Sequence, residues 1–200
     1  MKLRLGLACA ALALTACGPR MKEDGLNGAL IGAARAGQIS RIRRLIRAGA
    51  DPDAHGGVNG WPVLMHAIHR NQLAAARALL DDGANPDGRA SHGDTALIMA
   101  AGYGNTAAVR LLLDRGADPR IENDRGDSAL TMAVSGVADI DRFTLGSCQT
   151  ETVKALLDAS PGLKVGNSLW GHFAARLARF SGCQDTLNAL EVRRARSEAR

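Results

Sequence analysis

Rings are scarce in this 200-residue chain: one tyrosine, two tryptophans and three phenylalanines are 3% of it. A core this short of aromatic side chains is filled by Ala, Leu, Val and Ile, which suits thin helices packed closely together. A membrane-spanning run is missing too. The apolar stretch Leu5–Leu14 has ten residues, and a helix that crosses a bilayer needs roughly 20. Net charge is small. The formal net charge is +5, and without residues 1–16, which carry Lys2 and Arg4, about +3 is left. No block of like charge stands in the middle of the chain, which argues against a nucleic-acid partner. No serine is flanked by glycines as in a nucleophile elbow, and there is no phosphate-binding Gly-rich loop or His-Glu metal motif. Together these absences argue against an enzyme, a cofactor, a metal and a small-molecule substrate.

The first residues have the order of a targeting segment. Lys2 and Arg4 supply the charge, Leu5–Leu14 the apolar run, and Leu14-Thr15-Ala16-Cys17 follows directly. That tetrapeptide resembles the lipobox of bacterial lipoproteins. The resemblance implies a signal peptide of residues 1–16, cut before Cys17, and a lipid on Cys17. An ordinary signal peptide cut near Ala16, with Cys17 as a plain thiol, is the other reading. Gly18 stands where an Asp would resemble an inner-membrane retention signal, so the resemblance favours a periplasmic, lipid-anchored chain on the outer membrane. More than one acyl tail would make such anchoring stable.

Two motifs recur in phase. Leu45-Ile46-Arg47-Ala48-Gly49-Ala50-Asp51-Pro52 is matched by Leu79–Pro86 and by Leu112–Pro119, with glycines 34 and then 33 residues apart. Gly60-Trp61-Pro62-Val63-Leu64-Met65-His66-Ala67 is matched by Gly93–Ala100 and Gly126–Ala133. A period of this size marks a stack of small supersecondary units. Thr95 and Ser128 can cap a first helix with their hydroxyls. Ala33, Ala67, Ala100 and Ala133 are small enough for helix pairs to approach. Val109, Leu112 and Leu113 have the spacing of one buried helix face. Gly49, Gly83 and Gly116 stand past a second helix, where a positive φ is easiest for glycine.

These motifs resemble the ankyrin repeat, a β-turn followed by two antiparallel helices. The resemblance implies an all-α solenoid of four to five helix-turn-helix repeats with the last repeat divergent. Residues 17–26 are expected to be a lipidated tether, 27–192 the repeat domain and 193–200 a basic C-terminal tail. The family's Thr-Pro-Leu-His is replaced in every copy. Repeat two has one extra residue near Gly56. Repeat four carries about eleven inserted residues near Gly136–Cys148, by the longer distance from Ala133 to Val153 than from Ala100 to Val109.

The ankyrin resemblance implies a binding surface made of hairpin tips and the exposed side of the first helices. It selects Asn59, Trp61, His69 and Arg70 from repeat two and His92, Asp94 and Tyr103 from repeat three. From repeat four it selects Asp124, Arg125 and Asp127. Trp61 and Tyr103 would be natural anchors for a partner; the alternative is that Trp61 packs on the preceding hairpin and Tyr103 on its neighbouring helix. Cys148 and Cys183, both followed by glutamine, are a candidate disulfide in an oxidising compartment, or two separate thiols. His66 and His69 share a helix face with His55 and His92 nearby, but no Glu or Cys completes a zinc set.

The expected function is therefore a membrane-tethered protein–protein interaction module, with a partner of unknown identity. It would serve as a scaffold or protective partner of an envelope enzyme, or alternatively as an inhibitor or immunity protein for a toxic enzyme. A further alternative places an enzymatic or structural role in the 136–148 insertion.

Overall fold

The computed structural model describes residues 18–57, 59–135 and 149–164, together with 185, 186 and 188. Cys17, Cys148, Cys183 and the 136–148 insertion lie outside the described residues, as do residues 193–200. The described elements are α1 (Gly18–Arg35), α2 (Ile39–Arg47), β1 (His55–Gly56), β2 (Trp61–Pro62), α3 (Val63–His69), α4 (Leu73–Asp81), α5 (Ala96–Gly102), α6 (Thr106–Asp114), α7 (Ala129–Ser135) and α8 (Thr150–Ala159).

Helices pair within each repeat, α1 with α2, α3 with α4, α5 with α6 and α7 with α8. Between repeats, α1, α3, α5 and α7 form one layer, and α2, α4, α6 and α8 a second. One apolar cluster runs the length of the stack through Leu30, Ile42, Leu64, Leu79, Leu97, Leu112, Leu130 and Leu156. Among the described residues its fully buried members include no aromatic ring. Alanines do the close packing instead: Ala33, Ala67 and Ala100 are 0% exposed. Helices of seven to ten residues fall short of the roughly 12–15 at which isolated ones become even marginal. Their stability comes from neighbours.

The expected end signals are present. Thr95 Oγ1 accepts from the Ile98 N–H at 3.3 Å and Ser128 Oγ from the Thr131 N–H at 3.2 Å. In repeat two, where Pro62 replaces the hydroxyl residue, α3 has no side-chain cap. Gly49, Gly83 and Gly116 have φ of 97°, 98° and 86°. The Asp-Pro and Asn-Pro turns do more than bend the chain. Asp51, Asn85 and Asp118 each accept the N–H two residues on, at 2.9–3.0 Å. Asp53 then accepts the Asn85 N–H at 2.7 Å, and Asp87 the Asp118 N–H at 2.9 Å. Each hairpin base is thus bonded to the next repeat.

Of residues 17–26, expected as a tether, the structure describes 18–26. From Gly18 onward the backbone is already helical and runs unbroken into the first repeat helix. Pro19 near the helix start is compatible with this, because the first N–H groups of a helix have no intrahelical partner. Thr150 opens α8 about eleven residues later than the Leu73-to-Thr106 spacing would place it, as the insertion requires. Thr150 Oγ1 lies 2.8 Å from Thr186 Oγ1, a contact to the buried, helical Thr186 of the divergent C-terminal stretch.

Candidate functional site

The hairpin tips and first helices enclose a groove with a volume of about 270 Å³. Asn59, Trp61, His92, Asp94 and Arg125 line it from the tips, and Tyr103 from the end of α5. These are six of the ten positions selected from sequence. The tips are held in line by backbone bonds: the Ser91 N–H donates to the Asn59 carbonyl at 3.0 Å and the Asp124 N–H to the His92 carbonyl at 3.1 Å. Side chains repeat the pattern one step lower, His55 Nε2 reaching the Arg89 carbonyl at 3.2 Å and Arg89 Nη2 the Glu122 carbonyl at 2.7 Å.

An aromatic row crosses the repeat boundary at one wall. The Trp61 ring centroid is 5.5 Å from that of His66 and 5.0 Å from that of His69, and His69 is 5.9 Å from Tyr103. Trp61 is half-buried, packed on the core from one side while it lines the groove from the other. Tyr103 is the exposed large hydrophobic side chain among the described residues, at 45%.

His66 and His69 both have pKa values lowered from 6.5. For His66 burial is the chief cause, with the charges of Arg35 and His69 adding to it, while its bond to the Gly56 carbonyl at 3.2 Å works in the opposite direction. For His69 burial again leads, followed by the charges of Arg70 and Arg35. The neutral imidazoles are thus favoured. Neutral His66 donates Nε2–H to Gly56, since a carbonyl can only accept.

The far wall is polar. Arg125 Nε lies 3.3 Å from Asp127 Oδ2, and the Asp127 side chain is 0% exposed. Asn123 orders this corner: its Oδ1 accepts the Arg125 and Asp127 N–H groups at 2.9 Å, and its Nδ2 donates to Asp94 Oδ1 at 2.7 Å. Asp127 was expected on the surface with Asp124 and Arg125; its burial removes it as a contact residue and makes it a support for Arg125. Arg70 occupies Tyr103's repeat position but stands outside the groove. His69 buttresses the groove through Trp61 and Tyr103.

The floor was missed. Ile98, Met99 and Met132 line the groove beneath the rings. Met99 and Met132 are half-buried and stand at the repeat position of His66, so their shared place was visible, but apolar residues there read as helix core. Among the described residues no three His, Cys, Asp or Glu side chains converge as a metal site would require, and no helix is long and apolar enough to cross a membrane.

The arrangement offers an apolar floor, aromatic anchors and a charged rim, which is chemistry for holding a protein surface. Two curated proteins are similar over part of the chain. A putative ankyrin repeat-containing protein of Treponema pallidum (strain Nichols) is 39% identical over 70 residues, 35% of this chain and 24% of that protein. The 2-5A-dependent ribonuclease of Mus musculus is 32% identical over 74 residues, 37% of this chain and 10% of that protein. The chain thus spans a quarter or less of either relative's length. The family model described as "Ankyrin repeats (3 copies)" matches residues 7–90, 30–123 and 87–165. With the periodic motifs, the two helical layers and these matches in agreement, the chain belongs to the ankyrin-repeat family.

Proposed function

We propose that this chain is a lipid-anchored periplasmic ankyrin module that docks a protein partner in the groove between Trp61, Tyr103 and Arg125. The carrying observation is the groove itself: anchors chosen from three separate repeats line one cavity. Rigid display is the mechanism. Backbone and side-chain bonds between the tips fix the rim before a partner arrives, so little conformational entropy is lost on binding. The sequence Leu14-Thr15-Ala16-Cys17 supports the anchor, which would confine the groove near a membrane and raise its effective concentration there. Ankyrin repeats are in general interaction modules.

Two measurements test this reading. Incorporation of labelled palmitate should occur in the wild-type chain and vanish in Cys17→Ser; equal labelling of both removes the anchor. Capture from envelope extract should recover one stoichiometric protein on the wild-type chain and lose it on a folded Trp61→Ala/Tyr103→Ala variant. Undiminished recovery on the double variant would show that the groove is not the docking site.

A further inference from the structure

Helix α2 departs in charge from the three second helices after it. In register, Arg43, Arg77, Arg110 and Lys154 supply one cation per repeat, and Asp81, Asp114 and Asp158 stand at the ends of α4, α6 and α8. At that last position α2 has Arg47. It also has Arg41 and Arg44 where the later repeats place Ala75, Ala108 and Thr152, and Ala78, Leu111 and Ala155. Those later residues are buried, or half-buried at Ala155, whereas Arg41, Arg43, Arg44 and Arg47 are all exposed. Nine residues therefore carry four cations and no acid.

Few carboxylates answer them. Arg43 Nε is 3.8 Å from Asp82 Oδ2. Arg41 donates to Gln38 Oε1 at 3.3 Å, and Arg47 to the Arg43 carbonyl at 3.2 Å. Among the residues whose side chains are described, Arg41, Arg44 and Arg47 have no acidic partner within 4.0 Å. A terminal repeat needs a polar outer face, but mixed signs would serve, as with Arg110 and Glu151 across α6 and α8. A face of one sign calls for a ligand of the other.

We propose that the α2 arginines seat the stack on an anionic phospholipid surface. The inference rests on the lipid anchor at Cys17 for bringing the chain to a bilayer. Guanidinium groups match phosphate oxygens in a fork geometry, and a basic patch beside acyl chains is the usual second membrane signal. Placement agrees. Cys17 directly precedes α1, and α1 packs on α2. The start of α1 adds no net charge, since Arg20 and Lys22 are offset by Glu23 and Asp24. Because α2 belongs to the second-helix layer and the groove to the first, a bilayer against α2 leaves the groove open to a partner.

The test uses the full chain with Cys17→Ser, which cannot be acylated, and vesicles of phosphatidylcholine alone or mixed with phosphatidylglycerol. The parent should partition more strongly onto the anionic vesicles. Substituting Arg41→Gln, Arg44→Gln and Arg47→Gln together should weaken that partition on the order of 100-fold, from about 1 kcal/mol for each basic residue at such a surface. Leader residues contribute equally to parent and variant, so the difference reports α2. Should the triple variant fail to fold, the single Arg41→Gln, Arg44→Gln and Arg47→Gln variants serve, each weakening an anionic preference that decays as salt screens it. No preference for anionic vesicles, a preference unmoved by the triple substitution, or one insensitive to salt overturns the proposal. Retention of the parent by an oligonucleotide without vesicle partition would do so as well, giving the patch to a soluble polyanion. Absence of palmitate on Cys17 would sink the anchor but leave this measurement standing, because it is made without acyl chains.

Discussion

His69 Nδ1 and the Tyr103 hydroxyl lie 3.0 Å apart and join the end of α3 to the end of α5 across a repeat boundary. With His69 neutral, either ring tautomer makes this bond: the phenol donates to a bare Nδ1, or Nδ1–H donates to the phenol oxygen. The Trp61 ring packs against the same imidazole, tilted by 58°. The bond therefore positions an exposed ring and ties it to a half-buried one, so that both present a preformed wall.

Tyr103→Ala should separate binding from folding. The side chain is 45% exposed, so the melting temperature should barely move. Affinity for the captured partner should fall by about 2 kcal/mol, the size of an anchor residue. Tyr103→Phe keeps the ring and loses the bond to His69, and should show a smaller loss. Titration calorimetry with the partner decides it: equal affinities for wild type and Tyr103→Ala remove Tyr103 from the site.

Acid should destabilise the stack through the same histidines. His66 and His69 have folded pKa values below 6.5, burial being the chief cause for each. Between the folded and unfolded values the unfolded chain binds more protons. Their contribution to stability is thus complete above about pH 6.5 and declines as pH falls through the depressed folded values. Thermal melts at descending pH should show this decline, and His66→Gln/His69→Gln should flatten it. A melting temperature that rises on acidification across that window would contradict the assignment.

The repeat phase was legible because it rests on residues that backbone geometry demands. Gly49, Gly83 and Gly116 report positive φ, Thr95 and Ser128 report helix starts, and the alanines report close helix approach. Polar members of the site followed from that phase, since equivalent positions stack in line. Its apolar members did not: nothing in Met99 or Met132 distinguishes a groove floor from a core, because both demand removal from water. Burial of Asp127 was hidden for a related reason. A carboxylate reads as exposed until the turn, in which Asn123 is bonded to the Asp127 backbone, brings Arg125 beside it.

One substitution type should have opposite signs at two sites. Gly93 has φ of +75°, and an added Cβ would lie 2.6 Å from Asp124 Oδ1 and 3.1 Å from the Asp124 backbone nitrogen. Gly93→Ala therefore combines a disfavoured backbone conformation with a clash at the hairpin stitch, and should cost more than about 1 kcal/mol. Gly28, inside α1, has nothing within 4 Å of an added Cβ. Gly28→Ala should raise stability by roughly 0.5–1 kcal/mol by lowering the entropy of the unfolded chain. Denaturant melts of the two variants check both signs, and a stabilising Gly93→Ala would show that the tip tolerates rearrangement.

Leu112→Ala tests whether the repeats stand together. Leu112 is 0% exposed in α6, the second helix of repeat three, and its truncation should cost about 2–5 kcal/mol. In a stack whose members contact only their neighbours, the loss is shared when the coupling between repeats exceeds the intrinsic instability of each. Helices as short as α3 and α5 are unstable alone, so coupling must dominate here. Two probes on the Leu112→Ala chain should therefore melt together: far-ultraviolet ellipticity for all helices, and Trp61 fluorescence in a Trp170→Phe background for repeat two. If ellipticity falls in two steps while Trp61 reports only the later one, repeat two folds independently of repeat three and the preformed groove loses its physical basis.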